Sequence, residues 1–405
     1  MPRGVVSYED RIAAEKAFFE GCTNVHELPD IFHYWSDGKI RPQQEVFGFS
    51  NPIRMFEKNL AEHCERGRGR AQRFVSVGSG NCDLEIELAR SLLARGHQSF
   101  VIECLDLNPA MLERGRVMAE RETIGQWLEF LEADFNEWQP QHEYDAVIAN
   151  QSLHHVLNLE GLFRRIHESL KPGGRFVISD MIGRNGHQLW PEAMEIVQEF
   201  WRELPPSYRF NNLLQRHEEV LDNWDCSQEG FEGIRAQDIL PLLLGRFHFQ
   251  FFFAFGNVID PFVSRCFGHN FNASAQWDRE FIDRVHRCDQ QEMLAGHIKP
   301  THMLAVVGNE RDAPKVFAEP FSPEFCVRWP DPQTLATDLI VARGGALVEA
   351  QFSELRIEID SLKAKLKALN GVEARLSTAE NQLRGVAESR WVKLGNRFGV
   401  GPKIR

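Results

Sequence analysis

The stretch RFVSVGSGNCD at residues 73–83, read together with VIECLDLNPAML at 101–112, decides the fold. The first is a short apolar run that ends in Gly78-Ser79-Gly80, and the second opens with an apolar run that ends in Asp106. Between them LEIELARSLLAR, at 84–95, has the length and apolar spacing of an amphipathic helix. Strand, glycine turn, helix, strand and acid, in that order, make half of a nucleotide-binding unit. Glycine in such a turn lets the backbone approach a ligand where a Cβ would collide. A carboxylate after the second strand accepts two hydrogen bonds from a ribose diol. The pattern points to a cofactor that carries adenosine.

Outward from this unit, further strands are predicted at 128–132, 144–149, 175–180, 247–255 and 302–308. Helical patterns fill 110–121 and 159–170, and the second stops at Lys171-Pro172-Gly173-Gly174. The expected fold class is α/β: a doubly wound, seven-stranded, mainly parallel sheet covered on both faces. Residues 187–244 are too many for a plain crossover. They read as a lid inserted before the sixth strand, with helices expected at 191–203, 212–224 and 236–244. The organisation is then an N-terminal helical cap (1–71), the α/β domain (72–309), a Pro-rich linker (310–345), a coiled coil (346–385) and a basic-aromatic tail (386–405).

Bulk properties narrow the classes. The chain has 405 residues and 43% hydrophobic content, enough for a large core. Its formal charge of −12 argues against a general nucleic-acid binder, which shows a basic face. The eight cysteines are scattered and form no CxxC pair, so buried thiols in a reducing compartment are expected. The first residues lack the apolar core of a signal peptide, and no apolar run reaches the roughly 20 residues of a membrane span. The expected location is the cytoplasm.

Five motifs in order carry a family resemblance: VSVGSGNCD, LDLNPAMLERGR, LEADFNEW, YDAVIANQSLHHV and ESLKPGGRFVISD, followed by the late apolar strand KPTHMLAVVG. The sequence resembles the class I S-adenosylmethionine-dependent methyltransferases over 72–309, with their Rossmann-like sheet. The resemblance implies S-adenosyl-L-methionine as cofactor. It implies that Gly78, Ser79 and Gly80 lie against the amino-acid and ribose part, and that Asp106 holds the ribose hydroxyls with Leu107 on adenine. Asp134 would accept from the adenine amino group beside the Phe135 amide, and Asn150 and Gln151 would lie under the methionine moiety. Two positions depart from the family pattern. Cys82 stands where the third glycine is usual, and Ser76 where an acid often precedes the first glycine. A nicotinamide dinucleotide reading is weaker, because its fingerprint wants glycine where Asp83 stands.

Methyl transfer from a sulfonium is an in-line displacement in which the protein supplies alignment and sometimes a base. His154 and His155 follow the fourth strand, at the edge where open α/β sheets bind ligands, and are the candidate bases. Packing at a helix start is the bland alternative for both. No HxH or HExxH spacing occurs, so no metal is expected. The expected reaction is O-methylation, with a glycan or glycan precursor as leading acceptor. The alternatives are a small-molecule or lipid-like acceptor, or a non-catalytic methyltransferase-like scaffold.

At the C-terminal end Val348, Leu355, Leu362, Leu369, Leu376 and Leu383 recur every seventh residue, with Phe352, Ile359 and Leu366 between them. This is a coiled-coil seam, for which self-association is the expected outcome. Arg390, Lys393, Arg397, Lys403 and Arg405 follow, interleaved with Trp391, Leu394 and Phe398. Such a tail suits peripheral contact with an anionic inner membrane face, or a solvated terminus. It weakly resembles the tails of bacterial surface-polysaccharide assembly enzymes, and that is the lead to a glycan.

Overall fold

The computed structural model describes residues 8–20, 27–67, 70–228 and 230–328. The coiled-coil seam and the basic-aromatic tail lie outside the described residues. Among the described residues ten strands form: β1 Gln72–Val77, β2 Phe100–Asp106, β3 Leu128–Glu132, β4 Tyr144–Asn150, β5 Leu170–Met181, β6 Phe210–Asn211, β7 Arg216–His217, β8 His248–Phe255, β9 His302–Gly308 and β10 Val316–Phe317. Eight of them make one sheet in the order β10-β8-β9-β5-β4-β1-β2-β3. The pairs β1–β2, β1–β4, β2–β3, β4–β5 and β8–β10 are parallel, and β9 runs antiparallel between β5 and β8. The seven expected strands are all present, and the two-residue β10 adds an eighth.

The sheet is buried because its strands are apolar on both faces. Phe74, Val75, Val77, Ile102, Val147, Ile148, Phe176 and Val177 are fully inaccessible. Helices Asp83–Ala94, Pro109–Arg121 and Leu159–Ser169 cover it. Each such side chain contributes about 1.5–3 kcal/mol by leaving water. Asparagines start two of these helices: Asn108 Oδ1 accepts from Ala110 N at 3.0 Å, and Asn158 Oδ1 accepts from Gly161 N at 3.0 Å. The Lys171-Pro172-Gly173-Gly174 stretch leaves the ladder as a bulge in β5, with Tyr144 opposite Leu170 and Ala146 already opposite Arg175.

One expected element does not form. Residues 212–224 are not a helix, because β6 and β7 close a short antiparallel hairpin there. Asn211 Oδ1 accepts from Leu213 N and Leu214 N, at 3.1 and 3.0 Å, and this side-chain turn competes with helix nucleation. Gln215 then takes a left-handed φ of 51°.

Candidate active site

The strand order changes direction between β1 and β4: the chain leaves β1 toward β2 and returns to β4 on its other side. Ligands of open sheets bind at the carboxyl ends of the strands at such a point. Gly78 follows β1 with φ 77°, and a Cβ there would meet the Ser152 Cβ at 2.4 Å. Ser152 comes from the loop after β4 and donates to Val77 O at 2.6 Å. The turn is tied to β2 by Gly78 N and Ser79 N, which both donate to Leu105 O. Cys82, in place of a third glycine, adopts φ 61° and is fully buried. Room for it comes from Gly115 on the facing helix, where a Cβ would stand 2.8 Å from the Cys82 Cβ. The missing acid at Ser76 is supplied from elsewhere, since the Ser76 hydroxyl donates to Glu85 Oε1 at 2.5 Å. Burial pushes the Glu85 carboxyl up to about 7.

Asp106 ends β2 and is almost wholly buried. Its Oδ2 accepts from Gly80 N and its Oδ1 from Asn108 N, both at 2.8 Å. Burial raises its pKa, and these two amides oppose the rise. The two bonds leave each oxygen a second lone pair, so the pinned carboxylate suits a ribose diol. Leu107 is half-buried beside it. Asp134 follows β3; its Oδ1 accepts from Asn136 N at 2.8 Å, and its Oδ2 accepts from the Tyr8 hydroxyl. Phe135 packs against the core, and its carbonyl accepts from Arg165 at 3.2 Å. Asn150 ends β4, and Gln151 follows it with a left-handed φ of 54° and its amide on Ser179 O. The nine expected cofactor contacts therefore fall along one edge, at the carboxyl ends of β1, β2, β3 and β4.

His154 and His155 sit in a single turn, Leu153–His155, just past β4. Fully buried Asp180 orients the first. It accepts from Ser152 N, Leu153 N and Met181 N, and faces His154 Nδ1 at 2.6 Å. The imidazole Nε2 is thereby aimed the other way, toward Glu232. Burial opposes a charge on His154, but Asp180 and Glu232 outweigh it and push its pKa up to about 10. His155 Nδ1 lies 2.8 Å from Glu15, and its Nε2 3.4 Å from Glu232.

Five participants were not legible in the sequence: Tyr8, Glu15, Asp180, His187 and Glu232. His187 lies in the turn Asn185–His187 after β5, with φ 53°, and its Nε2 is 2.7 Å from Glu232 Oε1. A backbone clip holds the two together, because Gly186 N donates to Gly233 O at 2.8 Å. Burial despite Glu232 lowers the His187 pKa, whereas burial on Glu232 is outweighed by the three histidines, which hold its carboxyl well below the usual range.

Helix Tyr8–Glu20 lies across this edge. Tyr8 bonds Asp134, the Lys16 carbonyl accepts from Asn108 Nδ2 at 3.2 Å, and Lys16 pairs with Glu132 at 3.4 Å. The Phe19 carbonyl accepts from Arg114 at 3.3 Å. On the other side Arg11 donates to the carbonyls of Ser227 and Gly230, and Glu15 accepts from Phe231 N at 3.3 Å.

Residues 75–176 match the family model described as a methyltransferase domain. Over 79 residues the chain is 35% identical to a sterol 24-C-methyltransferase of Aspergillus fumigatus, covering 19% of this chain and 21% of that protein. It is 24% identical over 157 residues to a ubiquinone/menaquinone biosynthesis C-methyltransferase of Vibrio cholerae, covering 38% and 56%. It is 33% identical over 134 residues to a trans-aconitate 2-methyltransferase of an Acidovorax species, covering 33% and 47%. The chain thus spans between about a fifth and just over half of the length of these relatives.

Proposed function

We propose that this chain, whose residues 75–176 are a methyltransferase domain, is an S-adenosylmethionine-dependent methyltransferase that acts on an acceptor oxygen. The observation that carries the reading is the Asp106 carboxylate, pinned between the Gly80 and Asn108 amides with a lone pair left on each oxygen. The residues fit the cofactor. A turn at Gly78 too tight for a Cβ, a ribose acceptor at Asp106 and an adenine acceptor at Asp134 follow one another along the sheet edge. When bound, the cofactor supplies a methyl group on a sulfonium that leaves as a neutral thioether. Gly78, Ser79 and Gly80 position its amino-acid part, Asp106 the ribose, and Leu107, Asp134 and Phe135 the adenine. Asn150 and Gln151 bound the methionine end.

Oxygen is the favoured acceptor atom because imidazoles and a carboxylate converge past β4, where a hydroxyl proton is readily received or exchanged. A hydroxyl of a glycan or glycan precursor fits the C-terminal segment. The relatives' names, a sterol, a quinone and trans-aconitate, favour a small-molecule or lipid-like acceptor as the second reading. Calorimetry with S-adenosylhomocysteine tests the cofactor site. Binding is expected, weakened at least about tenfold by Asp106→Ala, since a hydrogen bond to a charged group is worth about 1.5–3 kcal/mol. No binding by the intact chain would sink the proposal.

A further inference from the structure

The Glu232 carboxylate is the meeting point of three imidazoles. His187 Nε2 lies 2.7 Å from Oε1, His154 Nε2 3.5 Å from Oε1, and His155 Nε2 3.4 Å from Oε2. All three present the same ring nitrogen. Metal bonds of about 2.0–2.2 Å in a tetrahedral shell place neighbouring ligand atoms about 3.3 Å apart, close to the two longer distances. The ligand atoms of His154, His155 and Glu232 all fall within 4.8 Å of one another.

The surrounding shell has the form that metal histidines require. A ligating imidazole has its other nitrogen held by a carboxylate or carbonyl, which fixes the tautomer and the ring. Asp180 stands 2.6 Å from His154 Nδ1 and Glu15 stands 2.8 Å from His155 Nδ1. The His154 ring is thus held from behind, with Nε2 aimed at the common point, while Glu15 stands beside His155 Nδ1 as a close charge without a hydrogen bond to it. The neighbouring His302 is engaged instead by Asp260, at 3.0 Å, and is no part of the set. The carboxylates of Glu232, Asp180 and Glu15 offset a divalent charge. The His187 backbone sits at a left-handed φ of 53°, a conformation that a non-glycine residue keeps where surrounding structure enforces it. The His154 side chain is 5% exposed and that of Glu232 is 44% exposed, so the site is open to solvent on the Glu232 side.

We propose that His154, His155 and Glu232, the last held by a hydrogen bond from His187, form a binding site for one divalent transition-metal ion, of the imidazole-preferring class to which zinc and ferrous iron belong. The inference rests on the methyltransferase reading only for its use: the ion stands beside the methyl-transfer edge and receives the acceptor oxygen. A coordinated hydroxyl has a lowered pKa, so its proton passes to water. The O–H bond breaks, an O–CH3 bond forms, and the S–CH3 bond of the sulfonium breaks with its electron pair left on sulfur.

The test uses the untagged full chain after chelator treatment. Zn2+ calorimetry is expected to show one equivalent bound, and Co2+ is expected to give visible d–d absorption that Zn2+ abolishes. Glu232→Gln and His187→Ala should each weaken Zn2+ at least tenfold, and Asp180→Asn, acting behind His154, by about 10–100-fold. Absence of Zn2+ uptake and of a Co2+ spectrum in the unsubstituted chain overturns the proposal, whatever the variants do. Unchanged Zn2+ affinity in folded Glu232→Gln and His187→Ala also overturns it. S-adenosylhomocysteine binding, measured on the same samples, separates the two readings: cofactor binding without metal leaves the methyltransferase reading standing, and metal binding without cofactor leaves the metal site standing.

Discussion

Glu85 shows how one residue changes the meaning of a motif. The family pattern places an acid at Ser76, and the fold instead brings a carboxyl from the next helix onto the Ser76 hydroxyl, inside the core. Burial raises that carboxyl to about 7. Between its unfolded value and 7 the folded chain holds a proton that the unfolded chain has released. The favourable contribution of Glu85 is therefore complete below the ordinary carboxyl range and is lost as pH rises to 7. Glu85→Gln is expected to stabilise the fold at pH 8 by about 1–3 kcal/mol, at 1.4 kcal/mol per pKa unit, and to give no gain at pH 4. Melting temperatures at the two pH values check this, and an equal gain at both would refute the ionisation argument. The glycine turn and Asp106 were readable because backbone geometry and a strand end demand particular residues. Glu85 was not, because its role arises from helix packing.

At the scale of elements, the strands were legible because both faces of β1, β2 and β4 are buried and the runs are continuously apolar. The hairpin at β6–β7 was misread because helical apolar spacing at 212–224 gave no sign of the Asn211 turn. His187 and Glu232 lie 45 residues apart and meet through a glycine clip, so no local spacing announces them. Helix Tyr8–Glu20 was expected as part of a cap, but its partners are distant polar groups that no periodicity encodes. Tyr8 occupies one lone pair of the carboxylate expected to hold adenine. Tyr8→Phe should loosen this cover and speed release of S-adenosylhomocysteine about 3–10-fold, the equivalent of about 1 kcal/mol. Stopped-flow measurement of the dissociation rate checks it, and an unchanged rate would mean that the helix does not hold the cofactor in.

For the whole molecule, we propose self-association through the seam from Val348 to Leu383, on the sequence alone. A helix of that length would run roughly 50 Å at 1.5 Å per residue, and its apolar stripe needs a partner. Sedimentation of the full chain against a chain ending at Gly344 is expected to give a dimer and a monomer. Two monomers at micromolar concentration would point to a different partner or to a helical hairpin folding back at Asn370-Gly371. Within the described residues, the N-terminal helix joins two parts of the molecule. It bonds Asp134 through Tyr8 and the Ser227 and Gly230 carbonyls through Arg11, and it brings Glu15 to 2.8 Å from His155 Nδ1. If a ligand at the adenine end draws this helix down, one at the histidine end is expected to bind more tightly in its presence, and reciprocity requires the same factor in both directions.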